Sequence, residues 1–215
     1  MTVEAKSHLR TAWMLLTRHW RAFLFAQLTV VAAWVALELA VVTARWSGMP
    51  AVAYWPLWLC LHVAFFWVFS GLMAGVHHMA LQAVDAGTPT FATALSRIDR
   101  GSIYLLTSLL YWAAVLCGLL LAVIPGLMAA ARWAPFRFVV AETSRNGLSS
   151  LRHAALLSAS HRWQIFRTLA LAAALNLGGT ALLGVGLLVT FPLTVMFRAA
   201  QFRTLQQHLT LAKPS

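Results

Sequence analysis

YWPLWLCLHVAFFWVFSGLMAGV, residues 54–76, runs for 23 positions without a formally charged side chain. At 1.5 Å per residue such a helix is about 35 Å long, enough for a hydrocarbon layer of roughly 30 Å. Two other stretches read the same way. Phe23 to Ala44 carries one charge, Glu38, and Ile103 to Ile124 carries none.

Composition agrees with these runs. The 215 residues are 61% hydrophobic and only 10% charged, against roughly 45–50% and about 25% in soluble domains. A water-soluble enzyme, a disordered chain and a disulfide scaffold are excluded on these grounds. The expectation is one all-α integral membrane domain over residues 1–215.

The second half is more broken. Pro125-Gly126 ends the third run, and the apolar stretch that follows contains Arg132 and Arg137. It reads as a fourth, short crossing over 126–141. Ile165 to Phe197 is too long for one ordinary span, and Gly178-Gly179 with Gly184 and Gly186 marks a turn inside it. A hairpin over 164–178 and 182–204 is expected, with Pro192 bending its second arm. The sum is six spans in three hairpins: 23–44, 54–76, 103–124, 126–141, 164–178 and 182–204. The first reads as an uncleaved anchor, since its apolar run exceeds that of a signal peptide.

Of the 16 Lys and Arg, all but Arg45, Arg132 and Arg137 fall on one side of these spans, Arg145, Arg198 and Lys213 among them. That asymmetry predicts both termini and the longer loops in the cytoplasm. The formal charge of +11 therefore reads as orientation and attraction to anionic lipid headgroups, with no nucleic-acid motif to suggest otherwise.

Short amphipathic helices are expected on the basic side. Residues 1–21 place Leu9, Trp13, Leu16 and Trp20 at helical spacing. Thr88-Pro89 resembles a cap and first helical position, opening a helix with Phe91, Leu95 and Ile98 on one face. Ser149 would cap another, with Leu151, Ala155 and Leu156. These helices either lie at the membrane interface or pack together as a layer. Each precedes one hairpin, and local echoes (Trp20 to Phe23 with Trp163 to Phe166, Gly71 to Ala74 with Gly126 to Ala129) suggest a repeated unit.

Ionisable groups inside spans are costly and need partners. Glu38, His62 and Arg132 fall about 9, 12 and 9 Å from the outer ends of their spans at 1.5 Å per residue. They form the expected buried cluster: an ion pair fixing helix register with His62 hydrogen-bonded beside it, or a proton- or substrate-handling site. Asn176 reads as an interhelical hydrogen-bonding residue or a helix cap. Adjacent His77 and His78 diverge by about 100° on a helix, which disfavours a shared metal. Cys60 and Cys117 are expected to be buried apolar residues. No catalytic residues, cofactor or metal site is expected.

Residues 75–91 (GVHHMALQAVDAGTPTF), Ile124-Pro125-Gly126 with Arg132-Trp133, Val139 to Ser158 and residues 184–205 (GVGLLVTFPLTVMFRAAQFRTL) carry a resemblance. They resemble six-span bacterial inner-membrane proteins of the YciC type and the membrane domains attached to some glycerophosphodiester phosphodiesterases. Where such families commonly end this last stretch with Tyr-Arg, Phe202-Arg203 stands here. The resemblance implies the six-helix fold and a bacterial inner-membrane location, and brings no catalytic residue. The functional expectation is a non-enzymatic accessory, scaffold or assembly subunit of a larger membrane complex. The alternative is a small-molecule or lipid transporter using the Glu38/His62/Arg132 cluster.

Overall fold

The computed structural model describes residues 3–143, 146–182 and 184–211, without the side chains of 3–5. Arg145 and Lys213, counted above for orientation, lie outside these residues. The described chain is helical throughout: α1 (Val3–Trp46), α2 (Ala51–Val84), α3 (Phe91–Leu95), a 3-10 turn (Ile98–Arg100), α4 (Gly101–Leu121), α5 (Val123–Trp133), α6 (Phe136–Glu142), α7 (Gly147–Ser158), α8 (Arg162–Ala181) and α9 (Leu187–Leu211). Four segments are long and apolar enough to cross a membrane: Lys6–Trp46, Ala51–Val84, Phe91–Leu121 and Val123–Glu142. α8 and α9 are not among them, because Arg162, Arg167, Arg198 and Arg203 dilute their hydropathy.

The expected N-terminal helix and first span are one continuous element broken at His19, whose φ of −119° and ψ of 16° leave the helical region. Ala12, Leu16 and Phe23 form its buried stripe, while Trp13 and Trp20, expected on that face, are exposed. The expected fourth span is two helices. α4 stops at Leu121, the single extended residue Ala122 reverses the chain, and α5 begins at Val123. Pro125 sits harmlessly in the first turn of α5, where its missing N–H has no helical partner to lose. Ala134-Pro135 then separates α5 from α6. α8 runs to Ala181 and the turn before α9 includes Gly184 at φ +78°, so Gly178-Gly179 remains inside α8.

Two caps differ from expectation. Thr90, not Thr88, caps α3, in a reciprocal box with Thr93; Pro89 falls just ahead of it. α7 begins after Asn146, and the Ser149 hydroxyl instead bonds back to the Asn146 carbonyl at 2.7 Å. The buried stripe of α7 is Leu151, Ala154 and Leu157, and Leu156 is exposed. Both helices pack against other helices: α3 on α2, and α7 on α4, α5 and α6.

α2 is the hub, touching α1, α3, α4, α6 and α9. Its buried residues begin only at Ser70. In α1 the buried stretch runs from Ala12 to Ala26, and in α9 from Pro192 to Leu205, with Val41, Val115, Gly126 and Gly179 as scattered buried positions toward the other end. The packed core thus sits toward the end where the basic residues gather. The opposite halves of α1, α2 and α4 present Trp34, Leu39, Trp55, Val63, Leu109 and Leu116 outward. Cys60 and Cys117, expected inside, are exposed there too.

Close backbone approach seats the core. A Cβ on Gly75 would stand 2.0 Å from the Ala94 carbonyl oxygen, and one on Gly71 would stand 2.8 Å from the Ile98 Cα. Only hydrogen at these positions lets α3 and the 3-10 turn lie on α2. Replacing Gly75 with Leu should lower stability by at least about 1–3 kcal/mol, the usual cost of overpacking. Gly178→Ala, with nothing within 4 Å of its Cβ, should leave the melting temperature unchanged or raised. Thermal melts of both variants in one detergent test the contrast.

Candidate functional site

α6 is seven residues long and carries Phe136, Phe138, Val139, Val140 and Ala141 in the core. A helix this short satisfies few of its own backbone groups, and inside an apolar bundle the rest need other partners. Arginines supply them. The break at Pro135 sends the Phe138 N–H to the Pro135 carbonyl at 3.0 Å. Ala134 O is left for Arg198, whose Nη2 donates to it at 3.1 Å. At the other end Arg100 Nη1 donates to Val140 O and Ala141 O at 3.0 and 3.1 Å. The neighbouring carbonyl of Arg132 accepts from Ser158 Oγ at 2.5 Å.

Arg203 completes the frame. Its Nε donates to Asp85 Oδ1 at 2.8 Å, and Nη2 binds the other Asp85 oxygen. Nη1 reaches Glu142 Oε1 at 2.5 Å, and Gln206 Nε2 donates to Glu142 Oε2 at 2.8 Å. One side chain of α9 therefore joins the ends of α2 and α6.

Arg137 is different. It projects from α6 into a cavity of about 320 Å³ lined also by His77, Tyr111, Asn176, Thr194 and Arg198, with Leu169, Phe191 and Trp112 as apolar wall. Among the described residues no hydrogen bond or ion pair engages its guanidinium, which lies 5.7 Å from the Phe136 ring centroid. No carboxylate lines the cavity. Of the five acids, Asp85 and Glu142 are held by Arg203, and Glu38 lies beside His62. Two guanidiniums thus share one cavity without a counter-charge among the described residues.

His77 lies in the same wall. Its Nδ1 is 2.6 Å from the Met73 carbonyl, which can only accept, so Nδ1 carries hydrogen. The ring packs against Phe138 and Tyr104 at 5.0 and 5.8 Å. His78 turns away, accepting from Arg97 Nη2 at 3.0 Å through Nε2. Asn176 makes the interhelical bond expected of it, to Thr194 at 3.3 Å.

The expected cluster is only partly assembled. His62 Nε2 approaches Glu38 Oε1 at 3.7 Å, with His62 Nδ1 on the Trp58 carbonyl at 2.9 Å. The pair is peripheral, since the Glu38 side chain is 41% exposed. Arg132 does not join it. This residue is exposed near the end of α5, its guanidinium 5.5 Å from the ring of Trp133. Because α5 starts at Val123 rather than 126, Arg132 falls farther along its helix than the expected span implied.

Sequence reasoning weighed His77 only as a metal ligand and counted Arg137 and Arg198 only for span and orientation, without bringing the three together. The available signal was Arg137 inside an apolar run with no acid in reach, the same kind of signal that drew attention to Glu38. Arg137→Gln should leave the melting temperature unchanged or higher, because it removes an unpaired cation from beside another. Arg198→Gln should lower it by about 1–3 kcal/mol of stability, since Ala134 O loses its donor. Equal losses in the two variants would show that Arg137 also holds the fold. Against models of protein families, curated proteins and solved structures, the chain matches nothing.

Proposed function

We propose that this chain is a non-enzymatic multi-pass protein of the bacterial inner membrane that binds an anionic solute or lipid headgroup in the Arg137–Arg198 cavity, as a transporter or lipid-handling protein. In this reading it crosses six times as three hairpins, α8 and α9 forming the third, with both termini cytoplasmic. The skewed placement of Lys and Arg supports the orientation. The resemblance to six-span YciC-type proteins belongs to the same proposal.

One observation carries the function: two arginines and a histidine line a cavity that holds no carboxylate. Cations inside a helical bundle are expensive and ordinarily pair with acids or serve a ligand. Here no described acid lines the cavity, so an anion from outside the chain supplies the missing charge. Arginine suits this role because its planar fork binds carboxylate or phosphate through two parallel hydrogen bonds.

The test is binding by purified protein in nanodiscs of zwitterionic lipid. Anionic lipids and soluble phosphate esters should raise the melting temperature of the parent chain and not that of Arg137→Gln. Equal shifts in both would remove the reading. For topology, replacing Cys60 and Cys117 with Ala and adding cysteine at Ser47 or Ser7 should give labelling from opposite sides of the membrane.

A second reading, an accessory or scaffold subunit of a larger membrane complex, draws on the Glu38–His62 pair. An ionisable pair on the outside of the bundle is better placed against another helix than against lipid. A stoichiometric membrane partner retained in mild detergent, and lost on Glu38→Leu, would favour it.

A further inference from the structure

α5 and α8 pack against each other and leave a groove of about 330 Å³ along their contact. Ile124, Leu127, Met128 and Ala131 form the α5 wall, at the spacing that puts side chains on one helical face. Trp163 and Phe166 form the α8 wall, their rings stacked 5.3 Å apart. Ile124, Met128 and Trp163 are exposed, so the groove opens to the surroundings of the bundle. Among the described residues of its lining, Arg162 carries the one polar side chain.

The charge sits at one end of this groove. His161, just ahead of α8, stacks on His208 in the last turn of α9 at 5.2 Å. Arg162 therefore lies at the end where the basic residues gather. Ile124 follows the corner between α4 and α5 at the other end, and the apolar wall from Ile124 to Ala131 is about 10 Å long. Arg132 stands one turn beyond Met128, and its carbonyl is held by Ser158 at the end of α7, four positions before Arg162. Among the described residues no hydrogen bond or ion pair engages the guanidinium of either arginine. The larger groove between α1 and α9, about 590 Å³, has Trp13, Trp20, Leu24 and Leu188 in its walls and no charged side chain in its lining.

We infer that the α5–α8 groove holds an acyl chain of an anionic phospholipid, with the lipid phosphate on Arg162. An apolar channel with a cation at one end matches a molecule with a carbon tail and a charged head. The guanidinium fork suits phosphate oxygens, and Arg132 adds positive potential at the same end. A zwitterionic lipid brings an ammonium that offsets its phosphate beside these cations. A second copy of this chain fits poorly, because two-fold pairing through this face sets Arg132, Arg162 and Arg167 near their own counterparts. The groove shares no lining residue with the Arg137–Arg198 cavity, so it is a separate site.

The test uses phosphatidylglycerol and phosphatidylcholine with identical acyl chains, each carrying a photoactivatable diazirine. Each probe is added to the full chain in phosphatidylcholine nanodiscs and irradiated, and adducts are mapped by peptide mass spectrometry. The phosphatidylglycerol probe should label residues 124–131 or 163–166 about tenfold more than its partner, the scale of one hydrogen bond to a charged group. The α1–α9 groove should label equally with both. Arg162→Gln should lower phosphatidylglycerol labelling to the phosphatidylcholine level. Arg10→Gln, which removes the same charge from another exposed position, should not. Glycerol 1-phosphate, a headgroup without a tail, should not compete.

Equal labelling by the two probes overturns the inference, as does an equal loss in Arg10→Gln or competition by glycerol 1-phosphate. Adducts at Leu169 or Phe191 in place of the groove would put the lipid in the central cavity and also overturn it. So would a native mass of two copies that Met128→Trp returns to one, with no lipid adduct in the groove. Should a variant not fold, the two probes on the parent chain decide. In the Arg162→Gln background the melting comparison with Arg137→Gln reports the central cavity alone, so the two sites stand or fail separately.

Discussion

Everything in this structure turns on the need to satisfy the ends of one short helix inside an apolar bundle. Seven residues of α6 expose nearly as many backbone groups as they pair. Arg198 from α9 takes the carbonyl before it, Arg100 takes carbonyls at its end, and Arg203 takes its last side chain, Glu142. These bonds tie α6 to the 3-10 turn and to α9, while the same Arg203 grips Asp85 at the end of α2. An unpaired backbone group in such surroundings costs several kcal/mol. The three arginines therefore act as structural struts, and that isolates Arg137 as the cation whose presence backbone satisfaction does not explain.

The glycine contacts serve the same arrangement from the other side. Gly71 and Gly75 let the Phe91–Arg100 segment lie directly on α2. Arg97 and Arg100 are thereby carried to His78 and to the end of α6. Gly118 and Gly126 do for α4 and α5 what Gly71 does for α2, with a Cβ on Gly118 only 2.8 Å from the Gly126 Cα. The tetrapeptide echo between residues 71–74 and 126–129 thus marks two places where backbones meet.

The membrane character was legible because charge-free runs leave few alternatives at 1.5 Å per residue. Boundaries were harder. Ala122 ends α4 without proline or glycine of its own, whereas Pro135 is the local signal that divides the expected crossing over 126–141 into α5 and α6. Starting that segment at 126 rather than at Val123 put Arg132 nearer its end, beside Glu38, whereas Glu38 lies beside His62. The cavity was illegible for a different reason. Arg137, Arg198, His77 and Asn176 come from four helices, and which arginines are committed to carbonyls depends on the fold. Sequence showed that acids were scarce; it did not show which bases they would leave unmatched.

The first and last described helices touch: His8 lies 3.2 Å from Thr204, across 196 positions of chain. At roughly 5–20 residues per second of synthesis, α1 waits about 10–40 s for this partner. During that interval the Ala12/Leu16 stripe has no α9 to cover it, and α6, though already made, lacks Arg198 and Arg203. Until α9 arrives, the Ala134 carbonyl before α6 and the Glu142 carboxylate at its end lack their arginines. The contacts of α9 with α1, α2 and α8 are therefore the last of the described core to form.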